Sequence, residues 1–207
     1  MNQRELLAVA KRVKALADTG LVYTQNEYDR ERYEELLSIS LQLLSAASDQ
    51  PLSGWESFFM PATDYPTPKV DVRGLVLNEA QEVLLVREKL DGRWSLPGGW
   101  GEIGRSPSEV IEKEIHEETG LEAKATALLA VYDKRCHPHP PQPFYVYKLC
   151  FRCEVVGGTV HPGFDIEEVR YFDRRRLPPL SEDRILATQI EQLYHQATQT
   201  NPIPYFD

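Results

Sequence analysis

Between Gly98 and Leu121 the chain reads Gly-Gly-Trp-Gly-Glu-Ile-Gly-Arg-Ser-Pro-Ser-Glu-Val-Ile-Glu-Lys-Glu-Ile-His-Glu-Glu-Thr-Gly-Leu, a glycine turn leading into a helix marked at both ends. Ser106 is an N-cap, Pro107 suits the first helical position, and Glu109 completes a capping box with Ser106. Gly120 stands where a left-handed residue closes a helix. At about 100° per residue, Glu114, Glu117 and Glu118 share one face, with Ile111 and Ile115 beside it as apolar anchorage. Like charges at this spacing destabilise a helix, and crowded carboxylates repel one another unless protons or cations neutralise them. A solvated acidic helix would alternate its acids with lysines. Here the acids cluster, and Gly98-Gly99 stands at fixed range before them. The neutraliser that suits oxygen ligands at neutral pH is a hard divalent cation, Mg²⁺ or Mn²⁺.

The rest of the chain supplies a setting for that helix. Residues 1–50 read as two amphipathic helices. The first carries Leu6, Leu7, Ala10, Val13 and Ala17 and ends at Gly20. The second is opened by a Thr24–Glu27 capping box and carries Tyr33, Leu36, Leu37, Leu43, Leu44 and Ala47. Their apolar stripes need a partner, either the downstream domain or the same region of a second subunit, and a homodimer through these helices is expected. Residues 51–68 form a connector punctuated by Pro51, Pro61, Pro66 and Pro68, with Trp55, Phe58 and Phe59 as packing anchors. From residue 69 to 207 the pattern turns to strands. Val70–Leu77 and Val83–Arg87 read as a hairpin, and Trp94–Leu96 feeds the glycine turn. Ala125–Tyr132 and Phe144–Val156 follow the acidic helix, with Gly157-Gly158 as a turn. Val169–Phe172 comes next, and Ser181 caps a last helix with Ile185, Leu186, Ile190 and Leu193. Mixed strands with helices before and after them predict an α/β/α sandwich.

Composition narrows the class. With 42% apolar residues the chain is an ordinary globular sequence. The net charge of −9 argues against general nucleic-acid binding. No apolar run reaches membrane-spanning length, and no signal peptide is visible, so a cytoplasmic protein is expected. Three cysteines do not make a disulfide framework; Cys150 and Cys153 lie three apart on a strand and should point to opposite faces as buried thiols. Phosphate-loop, zinc-protease and serine-elbow motifs are absent. His137-Pro138-His139-Pro140-Pro141 reads as a loop at a substrate rim rather than a zinc tract.

The glycine turn and helix resemble the signature of the Nudix (MutT-like) hydrolases, which runs Gly, five residues, Glu, seven residues, Arg-Glu-apolar-any-Glu-Glu-any-Gly-apolar. With Gly99 as the first glycine, Glu114, Ile115, Glu117, Glu118, Gly120 and Leu121 fall in register. Arg105 stands where the signature has its first Glu, its side chain expected to swing toward solvent or Glu109. Lys113 stands where the signature has Arg, keeping the charge but losing the guanidinium fork. The resemblance extends over roughly residues 69–198 and implies a Nudix-type α/β/α sandwich with a mixed sheet.

It also implies divalent-metal-dependent hydrolysis of the pyrophosphate bond in a nucleoside diphosphate linked to another moiety. Carried over to matching positions, Glu117 and Glu118 are metal ligands and the Gly98 carbonyl adds another. Glu114 is a base or a further ligand. The family often draws one more acid from a later loop, where Asp165, Glu167 and Glu168 are available and Glu167 is the first choice. The order of features, including the Pro-Lys-Val-Asp-Val-Arg entry and the His-Pro-Pro loop, looks like the branch linked to ADP-ribose and CDP-choline hydrolysis. Arg73, Arg87, Lys134 and His139 are the candidate substrate contacts. Two alternatives stand beside this reading: an RNA-end pyrophosphohydrolase or nuclease, and a non-catalytic nucleotide-sensing module whose altered box has lost turnover.

Overall fold

The computed structural model describes residues 2–48, 65–200 and 203–207. Residues 51–64 of the connector, with Trp55, Phe58 and Phe59, lie outside the described residues. The chain divides into two compact units, one of residues 1–68 with 141–144, the other of residues 69–140 with 145–207.

The first unit is a pair of helices, α1 (Gln3–Tyr23) and α2 (Glu27–Ala46). Asn2 opens α1: its side chain accepts from the Glu5 N–H while Glu5 accepts from the Asn2 N–H, both at 2.9 Å. Leu7 and Ala10 of α1 meet Leu44 and Ala47 in a small core. Two expectations need correction. Gly20 does not end α1, which runs on to Tyr23; a Cβ at Gly20 would run into the Tyr33 ring, so the glycine lets the helices approach. The cap of α2 is Asn26, whose side chain accepts from the N–H groups of Tyr28 and Asp29. Thr24 lies too early to reach the free N–H groups of a helix starting at Glu27, and its hydroxyl instead engages Asn26.

The second unit holds β1 (Lys69–Val76), β2 (Val83–Glu88), β3 (Trp94–Ser95), α3 (Pro107–Thr119), β4 (Leu121–Asp133), β5 (Val146–Gly158), β6 (Ile166–Phe172), α4 (Ala187–Ala197) and β7 (Tyr205–Phe206). Its strands form a four-stranded sheet ordered β1-β5-β4-β7 and a three-stranded sheet ordered β3-β2-β6. The larger sheet is mixed: β1 runs parallel to β5, and β4 runs antiparallel to β5 and parallel to β7. Strand alternation divides the core. Val72, Val76 and Leu84 pack with Val110, Ile111 and Ile115 of α3. Leu75, Leu85 and Leu129 pack with Ile190 and Leu193 of α4. The result is an α/β/α sandwich. Cys150 and Cys153 fall in opposite cores as alternation requires, and burial pushes both thiols up to about 12.

Three local expectations change. β1 and β2 share a turn but only one bridge, Leu77 to Val83, before they part into different sheets. Gly157 and Gly158 continue β5 opposite Glu122 and Leu121 rather than turning the chain. Ser181 is buried, donates to Asp91 at 2.6 Å and begins a separate turn, so α4 starts at Ala187. Among the described residues no helix is long and apolar enough to cross a membrane.

Candidate active site

The glycine turn is stitched to β1 by its own backbone. Gly74 N–H donates to the Pro97 carbonyl at 2.9 Å, and Val72 N–H to the Gly99 carbonyl at 2.8 Å. The turn is thereby pressed between β1 and α3. Gly98 has φ 141°, and a Cβ there would strike the Val72 carbonyl. A Cβ on Gly99 would stand 2.6 Å from a Glu114 carboxylate oxygen. Glu118 closes the arrangement by accepting the Gly98 N–H at 2.9 Å. The helix ends are as the residues predict: Ser106 and Glu109 form the capping box, and Gly120 sits at φ 71°. Gly98, Gly99, Glu114 and Glu118 are therefore brought together by elements adjacent in sequence.

Their electrostatics show strain between burial and charge. Burial, helped by Glu88 and Glu114, pushes the Glu118 carboxyl up to about 8 against the opposing pull of Arg73 and the Gly98 N–H. Burial also raises Glu114. Glu117 is more exposed and ion-paired with Lys113 at 2.7 Å. Lys113 reaches Glu102 as well, at 2.9 Å, and Arg105 meets that same Glu102 at 2.9 Å. Arg105 thus lies at the surface and pairs there with Glu102, a carboxylate three residues back, while its charge also acts on Glu109.

The candidate substrate contacts separate. Arg73 is buried with its guanidinium on Asp71 at 2.9 Å and on the Leu96 carbonyl at 3.0 Å, so it braces the site beside Glu118. Asp71 is also paired with buried Lys148, and despite burial these two cations hold its carboxyl below the ordinary range. Lys134 joins this buried charged patch: it lies 3.6 Å from Asp183, and burial depresses its ammonium to about 8. His139 contacts the Glu182 carbonyl at 2.5 Å through Nδ1, and burial lowers it to about 4. Arg87 is elsewhere engaged, pairing with Glu167 and Glu168, each at 3.2 Å. His137 pairs with Asp207 at 2.9 Å, which gives the His-Pro-His loop a structural anchor.

Sequence reasoning missed Glu88, Glu102 and Lys148. Glu88 is buried at the end of β2, ion-paired with Arg184 at 3.0 Å, and acts on Glu118. Its phase was readable: it follows buried Leu84 and Val86 at period two. Lys148 likewise stands in phase with Val146 and Cys150.

The donor set fits a hard divalent cation. It comprises carboxylate oxygens on one helix face, a carbonyl on a glycine that allows close approach, and a buried acid whose neighbours favour neutralisation. Among the described residues no three His, Cys, Asp or Glu side chains are already gathered for an ion. Lys113 holds Glu117 in its own ion pair.

Comparison with known proteins finds relatives for both parts of the chain. Residues 67–193 match the NUDIX domain, and residues 4–59 match a domain described as a UDP-X-like N-terminal oligomerisation domain. The chain is 43% identical over 192 residues to YjhB of Bacillus subtilis (strain 168), provisionally named an ADP-ribose pyrophosphatase, covering 93% of this chain and 92% of that protein. It is 35% identical to an ADP-ribose pyrophosphatase of Methanocaldococcus jannaschii over 58% of this chain and 70% of that one. A crystal structure of a UDP-X diphosphatase aligns over 100% of both chains with a TM-score of 0.63 and 37% identity.

Proposed function

Since the chain belongs to the Nudix family and is a hydrolase of phosphoanhydrides, we propose that it splits the pyrophosphate bond of a nucleoside diphosphate joined to a sugar, ADP-ribose first, with CDP-choline as the alternative conjugate. The observation that carries this reading is the convergence of Gly98, Glu114 and Glu118, with Glu118 poised at about 8 by burial and neighbouring acids. The relatives named for ADP-ribose and the UDP-X neighbour both act, by their names, on diphosphate conjugates.

Glu117, Glu118 and the Gly98 carbonyl would hold Mg²⁺ or Mn²⁺, with Glu114 as a further ligand or as base. A divalent cation there supplies charge neutralisation for the non-bridging oxygens and a more acidic water. Burial raises the Glu114 carboxyl above its ordinary range, which makes it a stronger proton acceptor than an exposed Glu. Arg73 braces Glu118 from the side of β1, and Glu88, whose charge acts on Glu118, is proposed beside Glu167 as a further acid that could join the helix carboxylates. Lys134 and His139, buried beside Lys148, are kept in this reading as the candidate contacts to the substrate's phosphates.

Residues 1–50 serve in this reading as the dimerisation region, residues 51–68 as connector and residues 69–207 as the hydrolase. Support comes from the oligomerisation-domain match and from α1, where Val9, Leu16 and Tyr23 are exposed at seven-residue spacing.

A panel of ADP-ribose, CDP-choline and a UDP-sugar, assayed with Mg²⁺ and with EDTA, tests the activity. AMP and ribose 5-phosphate from ADP-ribose, abolished by EDTA, are the expected result. Turnover that survives EDTA, or cleavage confined to nucleoside triphosphates, would overturn it.

A further inference from the structure

From the loop before α3 onto its flank runs a row of alternating charges: Arg105 on Glu102, Glu102 on Lys113, Lys113 on Glu117, at 2.9, 2.9 and 2.7 Å. The last contact bears on the proposed ion site. An ammonium on Glu117 Oε2 occupies that oxygen and repels a divalent cation brought to the same carboxylate. Lys113 and a divalent cation therefore compete for Glu117.

Lys113 and Glu117 are four apart on one helix, so their contact needs nothing from outside α3. Glu102 is different. It comes from the loop after the glycine turn, whose backbone is tied to β1 where Gly101 N–H donates to the Val70 carbonyl at 2.8 Å. Glu102 gives the ammonium a second carboxylate on the side of the loop. Arg105 occupies the position at which the box signature has Glu, and its guanidinium shares Glu102 with Lys113. The acid that engages Lys113 is thus three residues ahead of the box position.

We propose that Glu102 is a positioning residue that draws Lys113 off Glu117, so that Glu117 can turn to a divalent cation without leaving the ammonium unpaired. This rests on the metal reading of the site. Its consequence is specific: loss of Glu102 should harm ion binding only while Lys113 is present. A merely structural Glu102 would weaken ion binding whether or not Lys113 were there.

The test is Mn²⁺ binding to the full chain, followed by the paramagnetic resonance of free Mn²⁺, with no substrate and no turnover. Four proteins are compared: wild type, Glu102→Gln, Lys113→Gln and the double variant. Both side chains are partly exposed, and thermal unfolding in EDTA checks that each variant is folded. Glu102→Gln should weaken Mn²⁺ binding about two- to fivefold, the range typical of one exposed ion pair. Lys113→Gln should bind at least as tightly as wild type, and the double variant should match Lys113→Gln. Wild-type affinity in Glu102→Gln, or a double variant as weak as Glu102→Gln, would overturn the proposal while leaving the metal site standing. A wild type that binds no Mn²⁺ would overturn the metal reading, and this proposal with it.

Discussion

Glu118 carries two opposed demands. Its carboxyl is buried to 5% exposure and holds its proton up to about pH 8 without a cation, yet the proposed chemistry needs its charge. Glu118→Gln keeps the shape and can still accept the Gly98 N–H. Hydrolysis with saturating Mg²⁺ should fall by about 100-fold or more, the scale of a lost electrostatic contact in the transition state. The melting temperature in EDTA should not fall, because the amide is neutral in the unfolded chain too, whereas the carboxyl must take up a proton to be buried. Near wild-type turnover would remove Glu118 from the ion site. His139 makes a second residue-scale prediction. Its folded pKa of about 4 lies below the ordinary 6.5, so the folded state disfavours the protonated ring. Stability from the neutral ring is present above pH 6.5 and is lost as pH falls toward 4. The loss should reach about 3 kcal/mol at most. Urea unfolding between pH 7 and 4 should show that slope, and His139→Gln should flatten it; an equal slope in both proteins would reject the assignment.

At the scale of elements, α3 is held by its ends and by what its middle buries. Ile111 and Ile115 anchor it in the core with Val72 and Val76, so the acids on its other flank have a fixed platform. Gly120 ends it at φ 71°, where a Cβ would meet the His161 ring. Gly120→Ala should therefore cost about 1–3 kcal/mol through the strained backbone alone, read as a lower midpoint in chemical denaturation. Because the same turn launches β4, a fraction of the activity should be lost at temperatures where the variant is still folded. A variant as stable as wild type would mean the turn can relax, and the helix end would not be a fixed point of the site.

At the scale of the whole molecule, the open question is what covers α1. Val9, Leu16 and Tyr23 are 45, 54 and 64% exposed along one stripe, while the inner stripe of Leu7, Ala10 and Ala17 is buried. A helix apolar on two sides needs a second partner. Leu16→Glu places a charge in the middle of the exposed stripe and leaves the inner one intact. Sedimentation should show wild type as a dimer at micromolar concentration and Leu16→Glu as a folded monomer. A dimer that persists unchanged would move the interface elsewhere on the chain.

How much of this was readable follows the range of each interaction. The capping box at Ser106, the left-handed Gly120, the shared face of Glu114, Glu117 and Glu118, and the opposition of Cys150 and Cys153 all depend on neighbours within a few residues. Their geometry is the same in any context, so the sequence by itself determined them, and with them the acidic helix on an α/β/α frame. Pairing was another matter. That β1 leaves β2 after one bridge to run parallel with β5 is decided by contacts between residues some seventy positions apart, as in Asp71 opposite Lys148. The same distance hid the buried charges. Arg73 read as a substrate contact, and Asp71, Lys148 and Glu88 drew no reading, because a charge is buried only where a partner from elsewhere in the fold compensates it. Arg105 and Lys113 looked like departures from a pattern; only the folded loop shows them converging on Glu102.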